Sequence, residues 1–145
     1  MQKIIALFIL LSITGCSSPS GEPASSKIKW VYDYRQGIEQ AKESGKPVML
    51  FFSASWCPPC KILLTTVFSD EDVARVSERF INIYVDVDED TRTRTEYKIR
   101  EIPAIFFLNS NGEMIEKFSG ARTASQFIKT MNAIAAGYPG LSADS

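Results

Sequence analysis

Two cysteines three positions apart, Cys57 and Cys60, are separated only by Pro58 and Pro59 and stand where one pattern gives way to another. Upstream, Pro47-Val48-Met49-Leu50-Phe51-Phe52 has the continuous apolar character of a strand buried on both faces. Downstream, Lys61-Ile62-Leu63-Leu64 opens a helical pattern. Consecutive prolines suit the first turn of a helix, where missing N–H groups matter little. The chain is therefore constrained to run strand, dithiol, helix. A thiol at that joint lies over free backbone N–H groups and the positive end of the helix dipole, which lowers its pKa. The chemistry predicted is thiol–disulfide exchange, with a permanent disulfide or half of a zinc site as the structural alternatives.

A chain of 145 residues, 45% apolar and with nine Phe, five Tyr and two Trp, can build one domain with a full core. Its net charge of −1 gives no electrostatic footprint for nucleic acid and no polybasic membrane patch. Histidine is absent, which removes Cys/His and Ser/His pairs, His-ligated haem and most catalytic zinc sites. Asp86-Val87-Asp88-Glu89-Asp90 lacks the turn glycine and distal glutamate of a calcium loop and reads as a solvated turn.

The start of the chain has its own logic. Lys3 supplies a positive charge, Ile4 to Leu11 is almost unbroken apolar, and small residues precede Cys16. That describes an export signal over residues 1–15. The run is too short to span a bilayer, which needs roughly 20 apolar residues. Ile13-Thr14-Gly15-Cys16 resembles the lipobox of bacterial lipoproteins. The resemblance implies cleavage before Cys16, acylation of that residue and stable anchoring through several acyl chains. Ser17 after the cysteine, rather than Asp, points to the outer membrane if the source is Gram-negative. Residues 16–29 then read as a lipidated N-terminus and tether. Its Ser/Pro/Gly stretch, residues 17–26, has little to bury and reaches up to roughly 35 Å at about 3.3–3.6 Å per residue. With Cys16 modified and no histidine, only Cys57 and Cys60 remain for a metal; zinc needs four ligands, so no metal and no cofactor are expected. Copper delivery is disfavoured on the same ground.

The folded domain is expected over residues 30–136, with a polar tail at 137–145. Lys27 to Tyr34 alternates and reads as a first strand. Gln36 to Ser44 reads as an amphipathic helix with Ile38 and Ala41 inward, ended by Gly45. Strand 47–53 and the dithiol are followed by a helix over 58–68. A further helix is capped near Asp70 and turns Val73, Val76 and Phe80 inward. A strand over 80–87, a short helix at 91–97 and a hairpin of strands 104–109 and 113–118 around Ser110-Asn111-Gly112 come next. Thr123 to Ala136 reads as a last helix with Phe127, Ile128, Met131 and Ile134 inward. This order makes an α/β domain, a central mixed sheet with helices on both faces.

The order of elements, together with Trp56-Cys57-Pro58-Pro59-Cys60-Lys61, resembles the thioredoxin superfamily. The likeness extends to Tyr97-Lys98-Ile99-Arg100-Glu101-Ile102-Pro103, which is similar to the family segment ending in a cis-proline that faces the active-site cysteines. Lys46 to Leu50 and Val67 to Asp70 are similar to its periplasmic branch, which includes the C-terminal domain of the electron carrier of disulfide isomerisation. The resemblance implies that Cys57 is the nucleophile, Cys60 the resolving thiol, and Trp56, Ile102 and Pro103 a substrate-docking edge. Trp56 would otherwise be core, Glu101 is either a selectivity charge or merely solvated, and Lys61 is a solvated helix charge. Two departures stand out. Where the family carries a buried aspartate and its lysine partner, this chain has Phe51 and Tyr84.

The function these observations predict is a membrane-tethered extracytoplasmic thiol–disulfide oxidoreductase that reduces protein disulfides. Its partners would be those disulfides, a membrane electron donor, and the membrane itself through Cys16. The location implied is the bacterial envelope, facing the periplasm. The competing expectations are an oxidase or isomerase, and a non-enzymatic binding module with a structural disulfide.

Overall fold

The computed structural model describes residues 25–120 and 122–137. The signal segment, Cys16, most of the tether and the tail beyond Gly137 lie outside them. Helix α1 (Tyr34–Ser44) leads into β1 (Val48–Ser53), α2 (Pro58–Ile62) with a π turn (Leu63–Val67), and α3 (Glu71–Ser77). There follow β2 (Ile81–Asp86), α4 (Thr91–Glu96), β3 (Ala104–Leu108), β4 (Met114–Ser119) and α5 (Ala124–Ala136). The sheet order is β2-β1-β3-β4, with β1 parallel to β2 and antiparallel pairing elsewhere. This is a thioredoxin fold, as expected.

Strand β1 is central and every one of its six residues is buried, which is what its unbroken apolar run requires. Its side chains alternate between two helical layers. The Phe51 ring meets Trp30, Phe68 and Tyr84 at 5.2–5.7 Å, on the face covered by the π turn and α5. The Phe52 ring meets Tyr97 at 5.4 Å and Phe106 at 5.6 Å on the other face. That second face carries α1, whose Gly37 lies so close to Ile83 that a Cβ there would stand 2.4 Å from its Cδ1. Glycine is what lets helix and strand approach. Gly45 ends α1 in the left-handed region (φ 69°), where a side chain would be strained. At the other end of the domain, Thr123 and Gln126 close a capping box on α5.

The structure corrects the sequence expectations at four places. Lys27–Tyr34 is no strand: only Val31 bridges, to Ile83, because Asp33 caps α1 and Tyr34 already belongs to it. Residues of the expected tether are part of the folded body, since Ile28 is buried and the Lys27 amide donates to Phe68 O at 2.8 Å. The helix expected over 58–68 loosens into a π turn after Ile62, with Phe68 N donating to Leu63 O. There the Thr65 and Thr66 hydroxyls bond the carbonyls of Lys61 and Ile62, competing with the regular ladder. Phe80 is buried as expected, but from the turn after α3, not from the helix.

Candidate active site

The dithiol is built by the end of β1. Ala54 O accepts from Cys57 N at 3.2 Å, turning the chain off the sheet, and Cys57 (φ −90°, ψ 102°) becomes the N-cap of α2. Pro58 and Pro59 fill the first helical positions. Because neither has an N–H, the first amide able to reach Cys57 Sγ is that of Cys60, at 3.3 Å. Cys57 and Cys60 are joined in a disulfide, S–S 2.13 Å and Cα–Cα 5.3 Å. Cys57 is 2% exposed and Cys60 wholly buried, so Cys57 is the cysteine nearer the solvent. A surface reagent therefore meets Cys57 first.

The rim is apolar and open. Trp56 is 62% exposed, which excludes a core role; its indole N–H donates to Asp88 Oδ2 at 2.6 Å. Asp88 is held in turn, its amide bonding Asp86 Oδ1 at 2.9 Å. The sequence offered Asp88 only as part of a solvated acidic turn, and the spacing from Trp56 carries no signal of the contact. Ile62, one turn into the helix, is 59% exposed beside the prolines. The Ile102–Pro103 peptide is cis, as the resemblance implies. Ala104 pairs with Phe52, so Pro103 lies one step further along, level with Ser53 at the edge where Cys57 begins. Pro103 is buried and Ile102 half-buried. Lys98, with φ 54°, turns the chain from α4 toward this loop. The five residues singled out from the sequence thus collect at one edge of the sheet, whereas Cys16 lies outside the described residues.

The missing acid–base pair has a structural counterpart. Phe51 and Tyr84 are register partners across β1 and β2, and their rings meet at 5.6 Å. Trp30 and Phe68 complete an aromatic cluster where the family has its carboxylate and ammonium. Burial raises the Tyr84 phenol above its ordinary pKa, so it stays protonated and is not available as a base.

A family model described as a thioredoxin-like domain matches residues 34–135. The chain belongs to the thioredoxin-like family. The thiol:disulfide interchange protein DsbD of Campylobacter jejuni (strain RM1221) is 33% identical over 114 residues, 73% of this chain and 20% of that protein. This thioredoxin-like chain thus spans a fifth of that relative's length. Thioredoxin H-type of Fagopyrum esculentum is 32% identical over 92 residues, 63% of this chain and 76% of that protein. A thioredoxin from Thermus thermophilus superposes with a TM-score of 0.66 at 27% identity, covering 82% of this chain and 99% of the other. A structure named DsbH oxidoreductase gives 0.64 at 15% identity, a likeness of fold. The thioredoxin-like family is one of thiol–disulfide oxidoreductases.

Proposed function

We propose that this protein is a membrane-tethered, extracytoplasmic reductase of protein disulfides. The observation that carries the chemistry is the capped, one-sided dithiol beside a cis-proline. Cys57 as thiolate attacks a substrate disulfide, forming a mixed disulfide and releasing one substrate thiolate. Cys60 then attacks Cys57 Sγ, the second substrate sulfur leaves, and the dithiol has passed two electrons to the substrate. The direction is argued from Pro58 and Pro59. They delete two amides that would have stabilised a Cys57 thiolate, leaving the Cys60 amide alone in that role. A less stabilised thiolate makes a more reducing pair. Known members of the fold span about −270 to about −120 mV, and this pair is expected in the lower half. Equilibration against glutathione measures it; a value above about −150 mV overturns the reducing direction.

The location rests on the start of the sequence. The export pattern of residues 1–15 and the lipobox-like end at Cys16 support a lipid anchor facing the periplasm, at the outer membrane in a Gram-negative cell. Exported dithiols are not kept reduced by their compartment. A reductase there requires a membrane electron donor; the name of the interchange protein it resembles agrees with disulfide exchange with a redox partner. Cys16→Ala is expected to move most of the protein from the membrane to the soluble fraction; unchanged fractionation would dispose of the tether. Thiol trapping in intact cells completes the test, with Cys57 and Cys60 found mostly reduced.

A further inference from the structure

The edge assigned to substrate docking ends in the cis Ile102–Pro103 peptide, and its placement has to come from somewhere. Pro103 is held from behind, its carbonyl accepting from Gly120 N at 3.1 Å. The segment that leads into it has less support. Helix α4 has six residues, too few to persist alone, and buries one of them, Thr93. Just past it, Lys98 N donates to Thr95 O and Ile99 N to Arg94 O, both at 3.0 Å, so the chain leaves the helix in a fixed direction. From Arg100 to Ile102 no hydrogen bond is made among the described residues, and Ile102 is only partly covered by the core. The edge therefore inherits its position from Tyr97, the residue that closes α4.

Two sets of contacts fix Tyr97. Its ring meets Phe106 at 5.1 Å and Phe52 at 5.4 Å. Phe52 is the register partner of Ala104, and Phe106 stands two positions beyond Ala104, so the ring grips the sheet just after Pro103. On its other side the ring meets that of Tyr34 at 5.8 Å, and the two hydroxyls are hydrogen-bonded at 2.9 Å across 63 positions. Tyr34 is a firm post. It opens α1 behind the Asp33 cap, and Gly37 of the same helix lies hard against Ile83 of β2. Burial holds both phenols above their ordinary pKa, so both stay neutral and the bond between them persists.

We propose that Tyr34 is a positioning residue for substrate docking. By holding the Tyr97 hydroxyl it sets where α4 ends, and through the short segment that follows, where Ile102 and Pro103 present their edge. This rests on the catalytic and docking reading above. Tyr34 acts through Tyr97, on the Phe52 face of the sheet, whereas the π turn that continues α2 covers the Phe51 face. Its effect is thus on the substrate's backbone and not on the sulfurs. A disulfide carried by a peptide has a backbone to lay along the edge and depends on its placement. Hydroxyethyl disulfide has none and reaches Cys57 without it.

The experiment is a single-turnover reaction of the full reduced protein with each of these two disulfides, at varied concentration, so that half-saturation and limiting rate are read separately. With the peptide, Tyr34→Phe is expected to raise the half-saturating concentration about fivefold, the factor that one hydrogen bond of ordinary net strength carries, and to leave the limiting rate within about twofold. With hydroxyethyl disulfide the rate is expected to stay within about twofold of wild type. Tyr97→Phe removes the same bond from the other side and is expected to behave alike. The double variant is expected to be no worse than either single one, since all three lack one and the same bond. Unchanged half-saturation in both single variants would overturn the proposal, as would a parallel loss with both disulfides or additive losses in the double variant. Single variants that are unfolded at the assay temperature would make the pair a support of the fold alone and end the proposal too. A wild-type protein that reduces neither disulfide would remove the catalytic reading itself, a result seen without any variant and so distinct from failure of the positioning role.

Discussion

Cys57→Ser is expected to abolish catalysed reduction of insulin by dithiothreitol, a loss of at least ~10²-fold that leaves only the rate of dithiothreitol alone. Cys60→Ser is expected to do something different. It should react once and stop, accumulating a covalent complex with the substrate that gel electrophoresis resolves without reductant. The asymmetry follows from burial. Of the two cysteines, Cys57 is the residue with any exposure, capping α2 at the rim formed by Trp56 and Ile62, while Cys60 is wholly buried. A buried second thiol can attack only the sulfur next to it. If Cys57→Ser matched wild type, the disulfide would be structural and the catalytic assignment would fall. If Cys60→Ser trapped nothing and Cys57→Ser did, the two roles would have to be exchanged.

Phe51→Ala is expected to lower stability by about 4 kcal/mol, a fall in Tm of roughly 10–20 °C for a domain of this size. Phe51 is fully buried at the centre of β1 and meets three aromatic rings, those of Trp30, Phe68 and Tyr84. Those rings come from the N-terminal segment, the end of the π turn and β2. Removing the side chain therefore opens a cavity where three parts of the chain meet, and large neighbours held on separate elements collapse poorly into it. Chemical denaturation with an unchanged m-value checks the figure. A loss below about 2 kcal/mol would mean that the cluster repacks, and that its aromatic character at this position is incidental.

The aromatic cluster also explains why the family resemblance reaches the outline of the site and not its proton chemistry. A buried carboxylate and ammonium are tolerated only as a pair, since either alone is a desolvated charge. Here both positions are aromatic, Phe51 and Tyr84 in register, so neither leaves an unpaired buried charge.

Local chemistry was legible wherever one residue type answers one backbone need. The six buried positions of β1 follow from an apolar run that no half-exposed strand would carry. Gly45 ends α1, and Thr123 begins the last helix, as the sequence reads. The Cys57-Pro58-Pro59-Cys60 spacing determined by itself that two sulfurs would stand one helical turn apart, because prolines admit little else than a first turn. Lys27 to Tyr34 misled for the opposite reason. Alternation there is genuine, but the Asp33 cap and the packing of Trp30 on Phe51, Phe68 and Tyr84 outweigh it, and neither is visible locally. Which cysteine lies nearer the solvent, that Pro103 stands level with Ser53, and that Trp56 bonds Asp88 across 32 positions were decided only by tertiary structure. Each depends on strand register and on which layer covers which face, and those are set by packing among residues far apart in the chain.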